Sequence, residues 1–433
     1  MAFHLFRSDE SLHLDGRKEQ TIQKPYSVFE PNAVYVPAEN RGLPLRGLLP
    51  AGTPVRRGTL LGVKDPDDFP VYSPVSGTIV GHEKVFLPTG VETNCLKIEN
   101  DKKGTWEIQN PLKESKDCSE KEILDALKKS GQVGFGGAGF PTYRKYQTVR
   151  PVDTLIINAV ECEPYLTADY LYGCAEIEQV FIALPYLLKA AEAKKAYFAV
   201  KKDRPLLISA FEEEKKKHPE IPVELSLLPD AYPMGYERTL VREIVHKEYD
   251  ALPIEAGVIV NNIATFIGLG MYFREGKPAV LKAITVAGEV KDPKTVLTPY
   301  GVLASELIGF CGGATVKDYK IVNGGPMCGD AMPKDYATLL QTNGVLVLSP
   351  NALRAEPCWH CGKCCDQCPM DLQPVQIQMA LKRNDLERMI ELEADKCCGC
   401  GLCSYVCPSH IEVTQNVLKA KALVIAAKKE ASK

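Results

Sequence analysis

The chain has 433 residues, 45% of them hydrophobic and 25% charged, with 52 basic side chains against 55 acidic ones. That length exceeds what one hydrophobic core supports, so several domains are expected, and the composition excludes a fibrous or disordered chain. A net charge of -3 leaves no basic excess to neutralise a phosphate backbone, which excludes nucleic acid as the expected partner.

The opening, Met1 to Glu10, has neither the basic start nor the apolar run of a secretory signal, which predicts a cytoplasmic protein. Residues 1–113 read as short strands between Pro and Gly turns, as in Gly42-Leu43-Pro44 and Val71 to Val80. This pattern resembles the lipoyl- or biotinyl-type barrel-sandwich. Its hairpin tip is Asp65-Pro66-Asp67-Asp68 with Lys64 at the shoulder, which predicts a structural domain without a swinging cofactor arm.

Residues 114–278 change texture. Ile123, Leu124 and Leu127 share one face of a helix over 120–129, and a glycine-rich run follows from Gly131 to Thr142. Next come a strand over 154–158, a helical stretch to about Lys195, and strands at 197–200, 223–227 and 258–260. Strands alternating with helices predict a Rossmann-like α/β domain. No stretch reads as a membrane span, because the least polar candidate, 251–273, is broken by Pro253, Glu255, Gly257, Gly268 and Gly270. Residues 279–346 read as a small β-grasp unit, with a strand over 284–290, a helix over 302–310 and a strand near Tyr319. Residues 347–433 hold a cysteine cluster and a helical tail, Thr414 to Lys429. The fold class is therefore multidomain α/β and α+β.

Ten of the sixteen cysteines lie between Cys358 and Cys407. Clustered cysteines without an export signal point to metal. Cys358, Cys361, Cys364 and Cys368 are spaced C-x2-C-x2-C-x3-C and followed by Pro369. Cys397, Cys400, Cys403 and Cys407 repeat the spacing before Pro408. This doubled run is that of two-cluster ferredoxins, in which the fourth cysteine ligates the other cluster. One 4Fe–4S cluster is expected on Cys358, Cys361, Cys364 and Cys407, the other on Cys397, Cys400, Cys403 and Cys368. Zinc would not require three even spacings, a fourth at x3, a proline and a repeat. Cys365 and Cys398 fall outside the frame and are expected to be small buried packing residues.

Gly134-x-Gly136-x-x-Gly139 satisfies the dinucleotide fingerprint formally. A helix rather than a strand precedes it, however, and Phe140-Pro141-Thr142 is not expected to open a helix at once. A standard pyrophosphate loop is disfavoured, while a glycine run near Lys145 still suits a phosphate. Glu161 and Glu163 follow a strand's carboxyl end, where open α/β sheets bind ligands. The Asn261-Asn262 pair is costly to bury unless its amides find partners.

The loop from Gly134 to Lys145, the segment from Asn158 to Pro164 and the Asn261-Asn262 pair resemble the FMN- and NADH-binding elements of the flavoprotein subunit of respiratory complex I. The whole chain is more similar to the RnfC-type subunit of the Rnf ion-translocating ferredoxin:NAD oxidoreductase, with its sandwich, β-grasp (SLBB-like) unit and double-cluster end. The resemblance implies that Gly134, Gly136 and Lys145 contact the FMN phosphate, Gly137 lying in the same loop. It implies Asn158, Asn261 and Asn262 around the ribityl chain and ring, with Thr265, Tyr232 and Gly235 completing the pocket. Phe140 would stack on nicotinamide-nucleotide rings, Glu163 and Glu237 would bind NADH, and Glu161 would belong to the same site. It also implies hydride exchange between NADH and FMN and single-electron transfer through two 4Fe–4S clusters, with no catalytic acid or base. Partners would be other redox subunits or ferredoxin, holding the chain at the inner face of the cell membrane. Leu12-His13-Leu14-Asp15-Gly16 and Glu39-Asn40-Arg41-Gly42 depart from the usual Rnf motifs at those places. Two alternatives follow: a paralogue feeding a soluble reductase, and a non-enzymatic iron–sulfur adaptor.

Overall fold

The computed structural model describes residues 14–40, 42–137, 139–147, 151–350 and 353–431. The opening segment read for a leader, Leu12-His13, Arg41 and Ala138 lie outside them.

The α/β unit is built on four parallel strands in the order Val223–Leu228, Lys195–Lys201, Thr154–Asn158, Val258–Asn262. Thr154 to Ile157 are all buried, as an apolar run covered on both sheet faces requires. Alternation sorts them. Leu155 and Ile157 pack under helices Ala168–Ala190, Pro205–Lys217 and Ile263–Glu275, whereas Ile156 joins Val258 and Val260 under helix Glu237–Val245. Counted along the chain, the strand order is third, second, first, fourth. The reversal therefore falls between Thr154–Asn158 and Val258–Asn262, the switch point at which such sheets bind ligands.

Helix Ala168–Ala190 is long and apolar enough to cross a membrane by length and composition, a feature the residue pattern had not singled out. Most of that stretch is buried against the neighbouring helices. The 251–273 stretch folds as expected into a short turn, a strand and a helix.

The N-terminal strands Ala33–Pro37, Glu92–Asn100, Gly77–Phe86 and Pro54–Val55 form an antiparallel sheet, beside a hairpin of Leu60–Lys64 and Phe69–Tyr72 whose tip is 65–68. The β-grasp unit carries a six-stranded sheet that includes strand Asp330–Met332, which the sequence pattern had not suggested. Its outermost strand, Ser27–Val28, comes from the N-terminal region and runs parallel to Lys294–Pro299. Sandwich and β-grasp share one apolar core, in which Val34, Val36, Ile79 and Ile98 meet Ile284, Val296, Tyr300 and Tyr336. The cysteine-rich end folds around Ile377, Met389, Val417 and Val424, contributed by helices Pro374–Lys382, Leu386–Glu391 and Val413–Ala431.

Candidate functional site

The glycine loop is tied at its neck, since the Gly134 amide donates to the Phe140 carbonyl at 2.8 Å. Helix Glu120–Lys129 precedes it, capped by Ser119 and Glu122. Contrary to the sequence expectation, a single helical turn, Tyr143–Tyr146, opens directly after Thr142. That turn is a single one with no side-chain cap, and a helix rather than a strand precedes the loop, so the Rossmann arrangement is still not reproduced.

The loop lies over the switch point. Asn158 and Asn262 are registered neighbours at the carboxyl ends of their strands. Asn262 caps the next helix through the Ala264 amide at 2.8 Å and donates its own amide to Asp169 at 2.6 Å. Asn261 is buried and donates to the Tyr146 hydroxyl at 2.7 Å, so both amide nitrogens of the costly pair find partners while the Asn261 Oδ1 finds none among the described residues. Gly136 has φ +80, and a side chain there would come within 3.3 Å of the Asn262 amide. Thr265 is fully buried and accepts from the Phe135 amide at 3.1 Å, fixing the loop to helix Ile263–Glu275. Among the described residues, the amides of the exposed Gly136 and Gly137 have no protein acceptor. Lys145 reaches across to the Val260 carbonyl at 2.6 Å and to Glu237 at 3.6 Å. Phe140 is 47% exposed, with its ring free to stack. Asn158 donates to the Gly235 carbonyl at 2.9 Å, joining the first strand to the Tyr232–Glu237 loop.

Three expected site residues are engaged elsewhere. Glu161 caps helix Ala168–Ala190, accepting from the Asp169 amide at 3.1 Å and the Tyr170 amide at 3.5 Å. Burial pushes its carboxyl up, against the opposing pull of Lys18. Glu163 accepts from the Met327 amide at 3.0 Å and the Tyr232 hydroxyl at 3.3 Å, and burial raises its carboxyl as well. Tyr232 is 4% exposed and donates to the Cys400 carbonyl at 2.6 Å. These three residues form joints within the protein rather than an open nucleotide pocket.

The two cysteine loops have the same backbone. Gly362 and Gly401, at φ +80 and +82, begin short helices Lys363–Asp366 and Leu402–Tyr405. The amides of His360 and Gly399 each point at the first sulfur of their loop, Cys358 and Cys397, at 3.4 Å. Cys368, Cys397, Cys400 and Cys403 line one small pocket together with Leu372 and Val417. Cys407 is carried back to the first loop, where Ser409 donates to the Pro357 carbonyl and accepts from the Glu356 amide, both at 2.9 Å. One of the two crossed sets expected from the spacing thus shares a pocket, and the Ser409 bonds hold the end of the second loop against the start of the first. Cys398 is half-buried in the inner pocket and Cys365 is half-buried near Cys364, less enclosed than the packing role expected of them. Burial pushes the thiols of Cys368 to about 12 and Cys397 to about 11, so metal loading is expected to release protons.

The cluster end docks directly on the α/β and β-grasp units. Gly401 passes so close to the Met327 carbonyl that a Cβ would sit 2.4 Å from it. Arg242 donates to the Pro369 carbonyl at 2.9 Å, and Cys328 faces Tyr232 and Tyr236. Sequence reasoning missed Asp169, Met327, Cys328, Gln341 and Asn343, because their roles arise only when distant segments meet.

Family models match four consecutive regions: an RnfC barrel sandwich hybrid domain over 6–103, a Nuo51 FMN-binding domain over 127–269, an SLBB domain over 283–331 and a 4Fe-4S dicluster domain over 374–412. The RnfC-type subunit of the proton-translocating ferredoxin:NAD(+) oxidoreductase complex of Clostridium ljungdahlii is 31% identical, over 87% of this chain and 84% of that protein. The chain belongs to the RnfC family. The Na(+)-translocating counterpart of Acetobacterium woodii is also 31% identical, over 86% of this chain and 87% of its own length. An NAD+-reducing NiFe-hydrogenase, solved in its air-oxidized state, shares the fold at TM-score 0.51 and 20% identity. That likeness covers 72% of this chain and 64% of the hydrogenase chain, less than two thirds of it. As an RnfC-family member the protein is an electron-transfer oxidoreductase subunit that uses FMN and iron–sulfur.

Both groups fit the residues present. Free loop amides, Lys145 and the unpartnered buried Oδ1 of Asn261 offer donors and an acceptor to a phosphorylated ligand at the switch point. Among the described residues, no three His, Cys, Asp or Glu side chains converge on a single metal-ion position. Thiols spread around a pocket suit a cluster better than one tetrahedral ion.

Proposed function

We propose that this chain joins a two-electron reaction of NADH to single-electron transfer through two 4Fe–4S clusters, in exchange with partner subunits of an Rnf-type membrane complex. The relatives from Clostridium ljungdahlii and Acetobacterium woodii are subunits of ferredoxin:NAD(+) oxidoreductase complexes, which favours that setting over a soluble reductase or an adaptor. The chain would then sit at the inner face of the cell membrane through those partners. The reading divides it into 1–113, 114–278, 279–346 and 347–433. The observation that carries it is the 2.6 Å bond from Tyr232 to the Cys400 carbonyl, which joins the Tyr232–Glu237 loop, itself held by Asn158 at the switch point, to the inner cysteine set without an intervening domain.

FMN bound at the switch point supplies the ability to take two electrons together and release them one at a time. The free backbone amides of Gly136 and Gly137 would hold its phosphate, Gly134 would close the neck of the loop through Phe140, and Lys145 would add charge from the Val260 side. Asn158, Asn261, Asn262, Thr265 and Gly235 shape the floor beneath the ring. Phe140 offers an open face to the nicotinamide nucleotide, and Glu237 is the carboxylate best exposed to meet it. Glu163, enclosed by Met327 and Tyr232, orients that joint rather than binding NADH. Cys358, Cys361, Cys364 and Cys407 hold the outer cluster, and Cys368, Cys397, Cys400 and Cys403 the inner one. No side chain has to move a proton for hydride exchange.

Anaerobic mixing of the reconstituted holoprotein with NADH tests this reading. Flavin absorption near ~450 nm and the broad cluster absorption are expected to bleach together. Clusters that respond to dithionite but not to NADH would leave an iron–sulfur adaptor. Lys145→Ala is expected to release FMN while both clusters remain, and full flavin retention would count against the phosphate assignment.

A further inference from the structure

Lys282 lies on β-grasp strand Leu281–Gly288, is 1% exposed, and its ammonium has no hydrogen-bond partner among the described residues. A buried charge without a partner is costly enough that folded chains rarely keep one idle. Its Nζ sits 4.4 Å from the centre of the Phe135 ring, on the glycine loop. The face of an aromatic ring holds a cation without neutralising it. Burial pushes the pKa of the Lys282 ammonium down, and Asp169 and Glu161 are the charged groups that oppose this and favour the cation. Asp169 spends Oδ2 on Asn262 and leaves its buried Oδ1 unpartnered. Asn343, from the same β-grasp unit, also has an unpartnered buried Oδ1, and its amide lies 3.2 Å from where a Gly136 side chain would begin. Gln341 stands in the same relation to Gly139. Incomplete polar groups from two domains thus gather about one loop.

We infer that the β-grasp unit forms part of the flavin site, with Lys282 the cation that balances the charge of the reduced ring and Asn343 an amide that positions it. This rests on the flavin reading above. A hydride carries two electrons and one proton from NADH, leaving NAD+. Accepted without a second proton, it adds one negative charge to the site. A fixed cation in a low-dielectric interior favours that state over the oxidised one, and does so without reorganising. Lys282 is accordingly a positioning charge, with no bond to make or break.

Titration of the cluster-loaded protein with FMN, oxidised and then dithionite-reduced, separates the two states. Lys282→Met is expected to weaken reduced FMN about tenfold more than oxidised FMN, which lowers the two-electron midpoint potential by about 30 mV. Lys282→Arg is expected to keep the wild-type ratio. Thermal stability without flavin is expected to hold or rise in Lys282→Met, because an unpaired buried charge has gone. An unchanged ratio, or equal weakening in both states, would overturn the inference. Should Lys282→Met not fold, Lys282→Gln is measured in the same way, and a wild-type ratio there overturns it too. A wild-type protein that binds FMN in neither state would instead sink the flavin reading itself.

Discussion

The two cysteine loops share spacing, backbone and amide-to-sulfur bonds, yet they live in different surroundings. In the inner loop Cys400 and Cys403 are buried and the backbone touches Met327 and Tyr232. In the outer loop Cys361 is exposed and Trp359 is 69% exposed. Identical local chemistry has been given two positions, one against the flavin domain and one at the surface. On the proposed reading, geometry, and not the ligand set, would give the two clusters their order along an electron path.

Breaking one loop at a time tests that order most severely. Cys400→Ser is expected to abolish NADH reduction of both clusters, read by anaerobic EPR, while FMN still binds. Cys361→Ser is expected to leave the inner cluster reducible by NADH and to abolish delivery to an external acceptor. The opposite pattern would reverse the order. A subtler pair is Gly401→Ala against Gly362→Ala. Both glycines hold a left-handed φ, which costs any other residue about 1 kcal/mol. Only Gly401 also meets a backbone carbonyl, so Gly401→Ala should cost about 1–3 kcal/mol more in thermal unfolding. Smallest is His360→Gly. His360 takes φ +55 where the inner loop has Gly399 at φ +72, and relieving it should add roughly 0.5–1 kcal/mol. No gain there would mean that the outer loop holds its histidine for a reason the backbone does not show.

Much of this was legible in the residues. The cysteine spacing predicts two like loops whose fourth cysteines cross over, and the loops do share a backbone while Cys368 lies in the pocket of the other loop. Strand Thr154–Asn158 and helix Glu120–Lys129 have the limits that their apolar runs predict. Which carboxylate meets which partner was not legible. Glu161 and Glu163 leave the same strand end, and their roles diverge only because one meets a helix start and the other Met327. Lys282 reads as an ordinary strand lysine until Phe135 covers it. The shared core of sandwich and β-grasp was hidden for a similar reason, since alternation marks which side chains turn inward but not which sheet they will face.

The strand Ser27–Val28, laid against Lys294–Pro299, has a consequence for how the protein is made. Translation at ordinary rates separates the emergence of these two segments by on the order of tens of seconds. Throughout that interval the N-terminal sheet has only part of its core, and the apolar faces of Val34, Val36 and Ile98 wait for a partner not yet synthesised. A segment that leaves the ribosome early is thus among the last to be completed. A nascent chain stalled within the α/β unit would present those faces to chaperones, whereas one stalled beyond residue 348 would have closed them.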